Sequence, residues 1–436
     1  MKYILKSIIR SFHTGLLPQI IKRDLVLPLG SKKIVTVTGP RRSGKTYLLF
    51  QHINQLIESG VPKEKILYFN FEDERVELTM PTLDLVLQSY RELYPEINLR
   101  EAYFFFDEIQ NIEGWERFVR RVYDSVTNNI FLTGSNSKLF GEEIATSLRG
   151  RTIRYEVFPL SFKEFIRFKS FDFEVEKDFY STDKKSMLIK YFNEYMIYGG
   201  FPEVVFLDEI IKVKALQEYF EVMMYRDLAE RYKIRDTLVL KYFLKRLTEN
   251  AARFFSVHKI YRELKSLELS VGKDTLYRYL EHAEAAYIIR LIRKHYKSVS
   301  KAELGEKKVY LIDSGLLSSL RFMENKDYGV LLENTIFKEI HLLSNKIVCF
   351  KEKKECDFII NNSKAIQVCF DVSDPETLKR EKAGLMEACK YFNLKEGYII
   401  TYDQRDEIKE NGLTIYIIPG YEFVLRNWGH ELFHRE

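Results

Sequence analysis

The chain has 436 residues, 46% of them apolar and 30% charged, which excludes a disordered polymer and implies about three domains at ~150 residues each. Lysine plus arginine (68) exceeds aspartate plus glutamate (63) by five, too little to make the whole chain a polyanion binder, so the distribution of charge matters more than its sum. At the start, MKYILKSIIR places Lys6 and Arg10 inside the stretch a signal peptide keeps apolar. No apolar run approaches the ~18 residues of a membrane span. A cytoplasmic protein with no membrane partner is expected.

Residues 34–38 (IVTVT) read as a β-branched strand, followed at once by GPRRSGKT and then by YLLFQHINQLI with helical periodicity. Gly39, Gly44, Lys45 and Thr46 match G-x-x-x-x-G-K-[ST] in the strand–loop–helix context that a phosphate loop requires. The backbone from Gly39 through Pro40, Arg41, Arg42, Ser43 and Gly44 to Lys45, Thr46 and Tyr47 is therefore expected to cradle ATP. N–H groups and the helix N-terminus face the phosphates, Lys45 bridges the β- and γ-phosphates, and the Thr46 hydroxyl ligates Mg2+.

Residues 65–74 (KILYFNFEDE) read as a strand closing at Asn70, and EAYFFFDEIQ as a strand ending in Asp107-Glu108. Asp107 is expected to hold the Mg2+ shell and Glu108 to act as general base on water. NNIFLTGSNS (128–137) closes on Thr133, Ser135 and Asn136. Since ligands gather at the carboxyl edge of a parallel sheet, Asn70 is expected to restrain Glu108, and Ser135 or Asn136 to sense the γ-phosphate. Both readings compete with plain capping and turn roles. Of Arg149, Arg151 and Arg154, Arg151 in the R-G-R turn is the choice for an arginine that stabilises transition-state charge, in cis or from a neighbouring subunit.

The ordered run GPRRSGKT, YFNFEDER, FFFDEIQ, LTGSNS, LRGR, PLSFKEF and YGGFPEVV resembles a prokaryotic AAA+-type ATPase family widespread in archaea and bacteria, over nearly the whole chain. The resemblance implies an ATPase core, a helical lid, a winged helix and a restriction-endonuclease-like end, with no defined substrate.

From about Phe158 to Arg235 the pattern is helical and aromatic, broken by Gly199-Gly200 and Pro202, as suits a lid; the glycine pair reads as a tight turn. Helices follow at 237–251, 256–268 (capped by Ser256) and 271–286, then strands at 287–296 and 307–313 around a turn containing Gly305. This is the order of a winged helix-turn-helix. The third helix would offer Lys273, Thr275, Tyr277 and Arg278 to a major groove, and the hairpin Arg293, Lys294 and Lys297 to phosphates. Between Arg231 and Tyr310 there are 19 lysines and arginines against 9 acids, a local +10 that leaves −5 elsewhere, which points to double-stranded DNA. Lysine-rich docking faces share this signature.

The C-terminal pattern is a helix at 331–343 with Glu333, a strand at 354–360 with Glu355 and Asp357 on one face, and a strand at 365–370. The positions resembling a restriction-endonuclease-like site are Glu333, Asp357, Gln367 and Cys369. Glutamine there replaces a metal-binding carboxylate and cysteine replaces the lysine. Asp371 or Lys364 is the nearby substitute. The four cysteines, Cys349, Cys356, Cys369 and Cys389, form no CxxC pair and have no histidine at zinc spacing, which fits buried thiols in a reducing compartment.

The expected fold is α/β: a P-loop ATPase with a parallel sheet (1–157), a helical lid (158–235), a winged helix (236–325) and an inactive nuclease-like domain (326–436). The expected function is an Mg2+-dependent ATPase binding ATP and ADP, coupled to the winged helix and acting on DNA, with oligomeric state left open. A slow ATP-dependent switch for protein assembly and an ATP-regulated metal-dependent nuclease are the alternatives.

Overall fold

Runs of β-branched and aromatic residues about five long, buried on both faces, are what parallel sheets are built from, and four of them, with a more exposed fifth strand at one edge, form the first sheet of this computed structural model, which describes residues 1–135, 148, 150–296, 298, 305–321, 327–344 and 346–426. They are β1 (Ile34–Thr38), β2 (Ile66–Asn70), β3 (Tyr103–Asp107), β4 (Ile130–Gly134) and β5 (Thr152–Glu156), all parallel, in the order β2-β3-β4-β1-β5. Strand alternation divides the core in two. Phe104, Phe106, Ile130 and Leu132 face Val86, Tyr90, Trp115 and Phe118, from the helices Asp84–Leu93 and Trp115–Ser125. Val35, Val37, Phe105 and Phe131 face Leu48, Leu49 and Ile53 of the helix Lys45–Glu58. At ~1.5–3 kcal/mol for each such side chain, these two layers dominate the stability of this part. Because every strand runs the same way, Thr38, Asn70, Asp107, Gly134 and Glu156 line one edge.

The described chain divides into two units. The first is Met1–Phe158 together with only three later residues, Ala285–Tyr287. Tyr287 is fully buried, with φ +59°, a left-handed conformation that costs a bulky residue roughly 1–2 kcal/mol. Its hydroxyl lies 2.8 Å from both Thr38 Oγ1 and Glu156 Oε1, and its ring stands edge-on to Phe158.

The second unit opens with helices Phe162–Phe168, Thr182–Tyr198 and Glu209–Val222. Gly199-Gly200 turns where the sequence suggests, for a reason of packing: a Cβ on Gly199 would fall 1.6 Å from Asp313 Oδ1, and Gly200 N donates to Asp313 Oδ2. Lys338 closes the buried group on that same oxygen at 2.8 Å. The three later helices appear as Thr237–Glu249, Val257–Ser266 and Lys273–Ala285, with Ser256 capping the second.

Strands β6 (Arg253–Phe255), β7 (Ile289–Lys294), β8 (Lys307–Leu311), β9 (Ile347–Lys351), β10 (Glu355–Ile360), β11 (Lys364–Val368), β12 (Glu396–Thr401), β13 (Asp406–Glu410) and β14 (Leu413–Pro419) share one mixed sheet. Its order is β13-β14-β12-β11-β10-β9-β7-β8-β6. The short β6 has no alternation long enough to read from sequence, and β7 starts at Ile289 because Tyr287 is diverted to the first unit. The boundary drawn at 325/326 falls inside this sheet, where β7 pairs with β9. Among the described residues no helix is long and apolar enough to cross a membrane.

Candidate nucleotide-binding site

The loop after β1 is shaped by two glycines. A Cβ on Gly39 would meet the Val157 carbonyl oxygen at 2.1 Å, so only glycine admits this close approach to the end of β5. Gly44 adopts φ +94° at the N-cap of the helix Lys45–Glu58, whose first N–H groups, like those of any helix, have no intrahelical partners. Arg42 also takes a positive φ, +62°. Arg23, on the segment before β1, is buried and donates from its two terminal nitrogens to Ser43 O and Phe158 O, both at 2.9 Å. It ties the loop to the chain leaving β5.

Lys45 is 5% exposed. Its ammonium lies 3.2 Å from Gly39 O, from Pro40 O and from Glu108 Oε1. Thr46 Oγ1 donates to Asp107 Oδ2 at 2.8 Å, and Tyr68 OH donates to the same oxygen at 2.9 Å. Thr133 Oγ1 donates to Asp107 Oδ1 and accepts from Glu108 N at 2.8 Å. Burial and the neighbouring Glu108 push the Asp107 carboxyl above its ordinary range, and the Thr133, Thr46 and Tyr68 hydroxyls oppose them. For Glu108, burial acts in the same upward direction, but Lys45, Gln110 and Arg41 outweigh it and hold the carboxyl low. Glu108 has φ +51°, one of the strained conformations that cluster at functional sites.

Two buried hydroxyls at this edge, Ser43 Oγ and Ser135 Oγ, have no hydrogen-bond partner among the described residues. An unsatisfied buried donor costs roughly 1–3 kcal/mol, and phosphate oxygens would satisfy both. The donor set therefore suits a phosphate: an ammonium, free helix N–H groups and two idle hydroxyls. The Thr46 hydroxyl beside the Asp107 carboxylate suits a hard divalent cation.

Several expected residues sit elsewhere. Asn70 ends β2 beside Asp107 in register, but its side-chain oxygen accepts from Glu72 N at 2.9 Å in a local turn. Gln110 takes the restraining place instead, its Nε2 donating to Glu108 Oε2 at 2.5 Å. Arg151 precedes β5, whose first residue pairs with Ile34 at the start of β1. It therefore lies at the amino edge of the sheet, opposite Lys45, and bonds Asp124 Oδ1 at 3.2 Å. The in-cis role for Arg151 is corrected by strand polarity. Arg41 and Tyr47 remain in the loop and the first turn of the helix Lys45–Glu58, the Arg41 side chain pairing with Glu72 at 3.0 Å and Tyr47 53% exposed. Asn136 and Arg149 lie outside the described residues. Tyr68, Gln110 and Arg23 went unnoticed in the sequence. Gln110 carried a signal, standing two positions after the carboxylate pair; Arg23 carried none.

Comparison with known proteins finds a AAA domain over the residues that form this sheet edge. Residues 31–166 match the family described as AAA domain, and residues 189–327 match a domain of unknown function (DUF8612). An uncharacterized protein of Methanocaldococcus jannaschii, MJ1544, is 37% identical over 425 residues, covering 93% of this chain and 91% of its own. An uncharacterized protein of Haemophilus influenzae is 31% identical over 395 residues, covering 88% and 93%. The Aeropyrum pernix ORC1 protein in its complex with DNA is 14% identical, with a TM-score of 0.29 over 74% of this chain and 91% of that one, a likeness too faint to argue from. With a AAA domain matched around the phosphate loop, and near full-length kinship to both relatives, the chain belongs to the same family as MJ1544 and the Haemophilus protein.

Proposed function

We propose that the chain is an Mg2+-dependent ATPase of the AAA+ type that relays its nucleotide state to a winged helix acting on double-stranded DNA. The observation that carries the ATPase reading is the convergence of Lys45, Thr46, Asp107 and Glu108 at one sheet edge. Lys45 and the loop N–H groups bind the phosphates of ATP. Thr46 and Asp107 hold Mg2+, which supplies charge neutralisation when bound. Once Lys45 turns to the phosphates, Glu108 loses its ammonium partner and accepts a proton from water, with Gln110 still fixing one of its oxygens. A second copy of the chain would be needed for Arg151 to reach a phosphate.

The winged-helix reading is supported by the order helix, β6, helix, helix, β7, β8, with β8 antiparallel to both β6 and β7. Lys273, Tyr277 and Arg278 are exposed on the third helix and Arg293 on β7, while Thr275 accepts from Arg278 at 3.2 Å. Lys294 is half-buried, and Lys297 lies outside the described residues. The relay reading rests on Tyr287, which follows the third helix and meets Thr38, the residue before Gly39. The part of the second unit that carries β9 to β14 is proposed as nuclease-like without nuclease activity, sharing its sheet with β6, β7 and β8.

The deciding experiment is ATP hydrolysis by the wild type and Glu108→Gln, titrated with double-stranded DNA at two salt concentrations. Hydrolysis falling by about 10²–10⁴ in the variant, with salt-sensitive stimulation of the wild type, is expected. Unchanged hydrolysis in Glu108→Gln would remove the base from this mechanism. One observation favours the slow-switch alternative: the Lys45–Glu108 pair keeps the base occupied before nucleotide arrives. Negligible turnover with an ATP-dependent change of association state would select it.

A further inference from the structure

The second unit buries a cation of its own. Lys308 on β8 is 1% exposed, and its ammonium lies 2.7 Å from Glu355 Oε1, 2.8 Å from Asp357 Oδ1 and 3.3 Å from Glu333 Oε1. Taking an ammonium out of water costs several kcal/mol, which only close counter-charges offset. Three carboxylate oxygens converge on this one nitrogen. They come from two carboxylates on β10 and one on the helix Tyr328–Leu343, and two of the three, Glu333 and Asp357, are the acids that a nuclease-like reading would give to a metal ion.

A divalent ion does not fit alongside the lysine. Mg2+ asks for oxygens at about 2.0–2.1 Å in octahedral geometry, and the inward-facing oxygens here are bonded to the ammonium. Asp357 Oδ2 accepts from Val368 N at 2.9 Å, and Tyr310 OH donates to Glu333 Oε1 at 2.7 Å. Gln367 turns its oxygen to Asp357 N and its nitrogen to Glu381 Oε2. Among the described residues, no group of three or more His, Cys, Asp or Glu side chains is arranged to hold a metal ion. The nearby substitutes do not enter the cluster either: Asp371 accepts from Ser373 N and Gln404, and Lys364 lies over the Tyr398 ring.

We propose that the Lys308 ammonium is the permanent cation of this cluster, standing where a divalent ion would stand, so that the C-terminal site excludes metals while Lys308 is present and admits one when its charge is removed. The inference uses the nuclease-like reading only to say which ion is displaced; the caged lysine stands without it. It explains inactivity by occupation of the centre, in addition to the missing motif residues.

The test compares nucleotide-free wild type, Lys308→Met, Asp357→Asn and the Lys308→Met/Asp357→Asn double variant. Each is followed by Mn2+ binding (paramagnetic resonance of free Mn2+) and by thermal unfolding in EDTA and in excess Mn2+. The wild type is expected to bind no Mn2+ that Asp357→Asn removes, and its midpoint should not respond to Mn2+ through this site. Lys308→Met should lose stability in EDTA, gain about one equivalent of Mn2+ and recover its midpoint with the ion. The double variant should not gain it. Where Lys308→Met fails to fold in EDTA, Lys308→Met/Glu333→Gln, with one repelling carboxylate removed, supplies the same comparison. A folded Lys308→Met blind to Mn2+, or a wild type whose Mn2+ binding disappears in Asp357→Asn, overturns the inference. Plasmid cleavage by the wild type that Asp357→Asn abolishes would instead overturn the inactive-nuclease reading, so the two failures are distinguishable.

Discussion

Replacing Tyr287 by phenylalanine removes one oxygen atom and leaves the ring in place. That hydroxyl carries one proton and sits 2.8 Å from the Glu156 carboxylate and 2.8 Å from the Thr38 hydroxyl; since the carboxylate only accepts, Tyr287 donates to Glu156 and receives the Thr38 proton. A hydrogen bond to a charged group contributes about 1.5–3 kcal/mol and a neutral one about 1 kcal/mol. The left-handed backbone of residue 287 remains in the variant, so the strain is no longer offset. A loss of about 3 kcal/mol is expected for the first unit, which at its size means a midpoint lower by roughly 6–12 °C. The chain has two tryptophans, and Trp115 is buried in the first unit. In a Trp428→Phe background, Trp115 fluorescence against urea reads that unit alone, with an unchanged slope expected. A loss smaller than ~0.5 kcal/mol would refute the claim that Ala285–Tyr287 is a structural part of the ATPase sheet.

Three further outcomes follow from the geometry. Arg151→Ala should leave hydrolysis unaffected at dilutions where the chain is a monomer, and depress it only if activity rises with protein concentration; a concentration-independent loss would contradict the strand polarity. Burial pushes the thiols of Cys349 and Cys389 up to about 12 and that of Cys369 to about 11, and raises Cys356 as well. At pH 8 a thiol-disulfide reagent should therefore find at most Cys369 slowly, and all four only after denaturation. Gly199→Ala places a Cβ against Asp313 at φ +72° and should destabilise the second unit by roughly 3 kcal/mol or more, measured by denaturant titration, while ATP binding at the phosphate loop is retained.

The phosphate loop and the Asp107-Glu108 pair were legible because each is a short local pattern with its strand attached. Tyr68 was not, because a hydrogen bond across neighbouring strands leaves no spacing rule in the chain; Gln110 had its signal in its place two positions after Glu108. Arg151 was misplaced for a reason the sequence did contain: a residue just before a parallel strand belongs at the amino edge, away from the ligand. The excess of ten positive charges between Arg231 and Tyr310 does not all face solvent. Lys308 is one of those charges and faces inward, and Arg246 spends its guanidinium on Glu249 and Glu263. Net charge along a segment is readable from composition; the share of it offered to a partner is a property of packing. The short strand β6 was invisible because three residues cannot display a period.

The position of Lys308 has a practical consequence for dissecting this protein. A fragment beginning at residue 326 would carry Glu333, Glu355 and Asp357 without their ammonium, and would expose the edge of β9 that β7 covers. Such a fragment would gather divalent ions and self-associate along its bare strand, and an assay on it would describe a metalloprotein created by the truncation.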